Sequence, residues 1–94
     1  MLTYKAMYVF CDDGVHAEVL DFPGAISSGA DLDEARRMLQ DALVVMAETH
    51  LLKGEPLPLP DPGVFDDDAD LDEPIYLLFS AASSVAVVPQ EISA

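Results

Sequence analysis

Four carboxylates in the first quarter of the chain come closest to a catalytic pattern. They are Asp12, Asp13, Glu18 and Asp21. A ribonuclease-H-type nuclease requires several carboxylates that converge on divalent metal ions. Asp12 and Asp13 lie at the tip of a predicted hairpin, and Asp21 follows its second strand. Because a strand rises ~3.3 Å per residue, these groups stay apart. We therefore predict no catalytic residues and no enzyme activity.

A second acidic group has the spacing of a calcium loop. Asp66, Asp68 and Asp70 match the first three ligand positions, but Leu71 stands where the loop needs Gly and Leu77 where it needs Glu. We therefore predict no metal site. The segment 61–74 is predicted to be an exposed loop with seven carboxylates. These are Asp61, Asp66, Asp67, Asp68, Asp70, Asp72 and Glu73.

The remaining reactive side chains form no recognisable nucleophile motif. His16 is predicted to face outward from a strand, and His50 to lie near the end of a helix. Cys11 is the single cysteine, and we expect a small buried residue there rather than a reactive thiol. No glycine-rich phosphate loop is present, so we predict no cofactor.

The charge of the chain restricts its partners. Its 94 residues are enough for one domain, 1–94, with 18 acidic and four basic residues and a net charge of −14. Nucleic acids and acidic membranes bind through cations, so we expect neither as a direct partner. A basic protein is favoured, because opposite charges raise the encounter rate; the alternative is that the acidity only provides solubility. One cysteine, no signal-like N-terminus and no long apolar run favour the cytoplasm.

The sequence up to residue 54 predicts a three-stranded meander and a helix. Strands are predicted at 4–11, 15–20 and 25–28, with an Asp-Gly turn between the first two. The helix is predicted from about Leu32 to Lys53, with Asp31 and Glu34 as a capping box and Gly54 after its end.

The rest of the chain is predicted to complete the sheet. The prolines at 56, 58 and 60 predict an extended connector laid along the sheet, with a proline-rich ligand for a partner as the alternative. Strands are predicted at 75–79 and 85–88, with a turn or bulge at 80–84 and a frayed tail from Gln90. The predicted fold class is α+β: an antiparallel meander with one long helix packed across it and C-terminal strands that complete the sheet.

Several short motifs follow one another in a fixed order: a Pro-Gly block, a short strand ended by Gly, a helix that opens with Glu-Ala, and a Gly followed by alternate prolines. The residues that form them are Pro23, Gly24, Gly29, Glu34, Ala35, Gly54, Pro56 and Pro58. In this order the motifs resemble HicB-like proteins, and the resemblance covers residues 3–60 best.

The resemblance implies a truncated ribonuclease-H-like or double-stranded-RNA-binding-like layer and the role of an antitoxin. Such antitoxins bind a small basic HicA-like toxin and block its cleavage of mRNA. Many members also carry a C-terminal DNA-binding module, but residues 61–94 contain no Lys or Arg, so we expect none in this segment.

Two functions follow as expectations. The first is an antitoxin whose acidic residues contact a basic toxin. The contact residues expected are Asp12, Asp13, Asp66, Asp67, Asp68 and Asp70. The second is a non-enzymatic module without a toxin partner, which self-assembles through its apolar C-terminal strands. A homo-oligomer, either a dimer or a tetramer, is expected in both cases.

Overall fold

The computed structural model describes residues 1–79 and 85–88 and has the predicted α+β architecture. The elements are β1 (Leu2–Cys11), β2 (Gly14–Val19), β3 (Ile26–Gly29), α1 (Leu32–Leu52), β4 (Leu71–Phe79) and β5 (Val85–Val88). The sheet order is β3-β2-β1-β4-β5, and every neighbouring pair is antiparallel. The helix packs across one face, so the general fold prediction is confirmed.

The first hairpin follows from local sequence. Its register pairs Cys11 with Gly14 and Ala6 with Val19, which leaves Asp12 and Asp13 as the turn. Along β2, buried and half-buried residues alternate, as expected for a strand with one face on a core. His16 therefore lies on the face opposite the helix, as predicted.

The start of the helix is fixed by its cap. The Asp31 carboxylate accepts a hydrogen bond from the Glu34 backbone at 2.8 Å, and the Glu34 carboxylate accepts one from the Ala30 backbone at 2.8 Å. Together they satisfy two N–H groups near the helix start. The buried residues of α1 are Ala35, Leu39, Leu43 and Ala47.

Several residues of the HicB-like pattern have clear structural roles. A Cβ on Gly29 would lie 2.4 Å from the Ala35 backbone nitrogen, so only glycine lets β3 approach the helix this closely. Gly54 has φ +71° just beyond the helix, as a left-handed C-cap requires. Pro23 and Gly24 lie in the turn before β3. Pro56 and Pro58 lie in the connector.

The fourth strand begins earlier than predicted. The sequence placed 61–74 in a loop, but β4 starts at Leu71 and pairs with β1 from Tyr8↔Leu71 to Leu2↔Leu77. Pro74 lies within β4, where proline is tolerated at a sheet edge. That side of β4 is an edge at Pro74, because β5 pairs with β4 only from Tyr76 onward. The predicted turn at 80–84 and the tail from Gln90 lie outside the described residues.

The core lies between the helix and one face of the sheet, and the segment that contains Val64 crosses the other face. Tyr4, Ala6 and Tyr8 of β1 point into the core. Lys5 points to the opposite face, and its Nζ donates to the Val64 carbonyl at 2.7 Å. Met7, next along on that face, is only 2% exposed. The apolar second face of β1 is therefore covered there within the chain.

Candidate functional site

The two acidic groups named from the sequence lie at the same end of the sheet. Asp12 and Asp13 are exposed in the hairpin turn. The backbone of Asp70 donates to the Tyr8 carbonyl at 2.9 Å, and its carboxylate accepts from the Phe10 backbone at 2.7 Å. Phe10 is two residues from Asp12, so these bonds bring the end of the acidic segment beside the hairpin.

The helix start adds two carboxylates, Asp31 and Asp33, which are not among the contact residues expected from the sequence. Gly29 pairs with Val15, next to the hairpin turn, and Asp31 follows two residues later. Asp33 is almost fully exposed, with 91% of its side chain accessible. The sequence contains a signal for this position. Because β3 runs back towards the hairpin turn, the helix that follows β3 must begin near that turn. We call the whole set the acidic end: Asp12, Asp13, Asp31, Asp33, Asp66, Asp67, Asp68 and Asp70.

Part of the acidic end is held by its own backbone. The Asp66 carboxylate accepts from the Asp68 backbone at 2.9 Å, and the Asp66 carbonyl accepts from the Ala69 backbone at 3.1 Å. Asp67 and Asp68 are exposed. The segment therefore presents its outer carboxylates from an internally bonded turn.

The basic residues of the chain neutralise little of the negative charge at this end. Lys5 is bound to the Val64 carbonyl. Arg36 forms its shortest ion pair with Glu73, at 2.7 Å, and lies 3.7 Å from Asp33. The other two cations, Arg37 and Lys53, are exposed on or just after the helix. The arrangement can attract a cationic surface and repel phosphates.

A polar network under the helix fixes the start of β4. Arg36 donates to both carboxylate oxygens of Glu73, at 3.0 and 2.7 Å, and the Tyr8 hydroxyl donates to the same carboxylate at 3.2 Å. The hydrogen bond to Glu73 is the largest cause that raises the pKa of Arg36. Burial, and then the charge of Glu73, raise the pKa of Tyr8. The network holds charges in place rather than freeing one for chemistry.

The one buried carboxylate near the first strands is used by the backbone. Asp21, 9% exposed, accepts from the Lys5 and Asp61 backbones, each at 2.9 Å. The register places it at the opposite end of the hairpin from Asp12 and Asp13, as the strand lengths predict. Within residues 1–79 and 85–88, no three His, Cys, Asp or Glu side chains are arranged to hold a metal ion.

The remaining reactive side chains are dispersed. His16 lies 3.4 Å from Glu18, on the face opposite the helix. His50 packs edge-on against Phe22, with ring centroids 5.4 Å apart. Cys11 is exposed, so the expectation of a buried thiol was wrong. The end of β1 extends past the core, since the neighbouring Phe10 is also 52% exposed.

The comparisons with known proteins add no relative to this description. No protein-family model matches the chain, and the curated proteins give no match. In the part of the chain that the structure describes, no helix has the length and apolarity that a membrane span requires. The fold and the site define a class: a one-helix α+β domain with an acidic end.

Proposed function

We propose that the chain is a HicB-like antitoxin that binds a small basic mRNA-cleaving toxin by protein–protein contact. The observation that supports it best is the acidic end, where the bonds of Asp70 to β1 and the pairing of Gly29 with Val15 bring carboxylates from separate segments to one end of the sheet. The chain acts without chemistry of its own, in the cytoplasm, and the toxin is of the HicA-like type. The ordered motifs from Pro23 to Pro58 support the same proposal.

The electrostatics favour this class of partner. A chain of net charge −14 attracts a basic protein over a range of about 8–10 Å at physiological salt. The same field opposes RNA and DNA, because phosphate binding needs cations that release counterions. The antitoxin therefore covers the basic surface of the toxin and competes there with the RNA substrate.

The local hydrogen bonds also favour binding. The carboxylate of Asp70 is fixed to the Phe10 backbone and that of Asp66 to the Asp68 backbone. Groups that are ordered before binding lose less conformational entropy when the complex forms. The acidic end is thus a preorganised surface.

The test begins by asking whether a small basic protein is encoded beside this chain, and then titrates that protein against the chain. We expect micromolar or tighter binding that weakens as salt rises. Two double variants, Asp12→Asn with Asp13→Asn and Asp67→Asn with Asp68→Asn, should each weaken binding by about fivefold to tenfold, or about 1–1.4 kcal/mol. Inhibition of mRNA cleavage by the toxin should fall in parallel.

The matched control removes the same number of charges elsewhere. Glu55→Gln with Asp72→Asn neutralises two exposed carboxylates outside the acidic end, and affinity should change less than twofold. No binding at micromolar concentration would reject the antitoxin proposal. Equal loss in the control would show that only net charge matters.

A second candidate is a self-assembling module without a toxin, and the edge strands of the sheet favour it. Among the described strands, β3 and β5 are the outermost, and β3 (Ile26–Gly29) carries no charged side chain. Such a strand can pair with its counterpart in a second copy. Sedimentation should then show a dimer or tetramer; a monomer at high concentration contradicts this candidate.

A further inference from the structure

The helix carries a second apolar stripe that its own sheet does not cover. Met38, Val45 and Leu52 are 43%, 60% and 89% exposed and follow one another at seven-residue spacing. Ala42 and Thr49 lie between them and are half-buried. We call these five residues the helix seam.

The spacing of the helix seam is that of a coiled-coil contact. From Met38 to Leu52 the steps alternate between four and three residues, which keeps the side chains in line when another helix packs against them. The stripe that faces the sheet is a different one, formed by Ala35, Leu39, Leu43 and Ala47. The helix therefore has one stripe for its core and one beside it that faces solvent.

One flank of the helix seam carries acidic side chains. Asp41 and Glu48 are exposed, and each follows a seam residue, Met38 or Val45, by three positions. In heptad terms these are flanking positions, where charges select the partner helix. At the corresponding positions on the other flank, Leu39 and Met46 belong to or pack against the core. The next position on that flank is Lys53, an exposed cation just beyond the helix end.

We propose that the helix seam docks an amphipathic helix of a partner protein, with apolar residues at its contact positions and Lys or Arg opposite Asp41 and Glu48. This inference rests on the proposed function, which requires a basic partner, and it adds a second contact surface apart from the acidic end. Charge complementarity at two flanking positions carries it.

A second copy of this chain fits the helix seam poorly. In an antiparallel helix pair, equivalent flanks face each other, so Asp41 and Glu48 would meet the same acidic residues. In a parallel pair they would face the opposite flank, where Leu39 and Met46 are packed against their own core. That flank then offers a single opposite charge, Lys53, beyond the helix end. Like charges directly opposed destabilise such a pair.

The test uses a designed probe peptide and the whole protein. The peptide has about three heptads, with Leu at both contact positions and Lys at both flanking positions. A second peptide has Glu in place of Lys. By fluorescence anisotropy, the Lys peptide should bind and the Glu peptide should not. Asp41→Asn with Glu48→Gln should weaken the Lys peptide by several fold.

The variant Val45→Glu separates docking from general attraction. It adds a negative charge, so non-specific attraction of a basic peptide would hold or increase, whereas docking on the seam should weaken at least tenfold. Phe65→Glu is the control, because it adds the same charge at a residue that is 71% exposed and lies in the 61–70 segment, outside the helix. It should retain full affinity, and circular dichroism should show both variants folded.

Three outcomes overturn the inference: equal binding of the two peptides, unchanged binding to Val45→Glu, or a dimer of the protein that Val45→Glu dissociates. The proposed function fails separately. If the substitutions at the acidic end leave toxin binding intact while Val45→Glu loses the peptide, the helix-seam inference is supported and the role of the acidic end is rejected. If the acidic-end substitutions weaken toxin binding while Val45→Glu still binds the peptide, only the helix-seam inference is rejected.

Discussion

Arg36 on α1 and Glu73 on β4 form a two-point ion pair across 37 residues of chain. The Nε to Oε2 distance is 3.0 Å and the Nη2 to Oε1 distance is 2.7 Å. The Glu73 side chain is only 11% exposed. Two parallel hydrogen bonds of this kind fix direction as well as distance, so the pair sets how the helix lies over the fourth strand.

Removal of the guanidinium should therefore destabilise the fold. In Arg36→Met, the Glu73 carboxylate stays near-buried without its strongest donor, and we expect the free energy of unfolding to fall by about 2 kcal/mol. Urea denaturation measures the change. Arg37→Met, an exposed neighbour on the same helix, should stay within about 0.5 kcal/mol of the parent. Equal losses in both variants would contradict the role of the pair.

The Asp21 carboxylate should be equally sensitive to a small change. Each of its oxygens accepts one backbone N–H, from Lys5 and from Asp61. Asparagine keeps one acceptor and places an amide donor against the other N–H. We expect Asp21→Asn to lower the free energy of unfolding by about 2 kcal/mol, measured with urea. Asp67→Asn, at an exposed residue, should change it by less than about 0.5 kcal/mol. Similar losses of stability in the two variants would contradict a structural role for the two backbone bonds to Asp21.

The sequence predicts well where neighbouring residues determine the structure. Asp31, Glu34 and Gly54 mark the two ends of the helix, because caps depend on groups within one turn. The alternation in β2 and the turn at Asp12 and Asp13 are equally local. These features were sufficient for the fold class.

Long-range bonds explain what the sequence did not predict. β4 starts at Leu71 rather than at 75 because β1 pairs with it there and Arg36 neutralises Glu73; read alone, two acids and a proline indicate a loop. Likewise, the bond from the Phe10 backbone to Asp70 spans 60 residues. No local pattern predicts such a contact. The sequence therefore identifies the acidic residues of each segment, but not that these segments meet at one end of the sheet.

The close approach of β3 to the helix makes Gly29 hard to replace. A Cβ there would lie 2.4 Å from the Ala35 nitrogen and 2.8 Å from the Glu34 carbonyl carbon, both backbone atoms that cannot rotate away. We expect Gly29→Ala to cost about 3 kcal/mol, with a lower thermal midpoint. For Gly63→Ala the nearest atom is 3.4 Å away, so this control should be neutral. A tolerated Gly29→Ala would disprove the contact.

Tyr8 should make the fold sensitive to alkali. Burial, and then the negative charge of Glu73, raise the pKa of Tyr8, while Arg36 opposes them. Below pH ~10 the phenol is protonated in both the folded and unfolded states and stability is unaffected. As pH rises further, the unfolded chain releases this proton before the folded chain does. Stability must then fall, by up to about 1.4 kcal/mol per pH unit.

Comparison of the parent with Tyr8→Phe isolates this effect. The variant lacks the phenol, so its free energy of unfolding should start lower, because the bond to Glu73 is lost, but decline less steeply above pH ~10. Urea denaturation at several alkaline pH values gives both slopes, and tyrosinate absorbance follows the ionisation itself. Parallel slopes would mean that Tyr8 titrates alike in both states, and its buried bond to Glu73 would then have no influence on its proton.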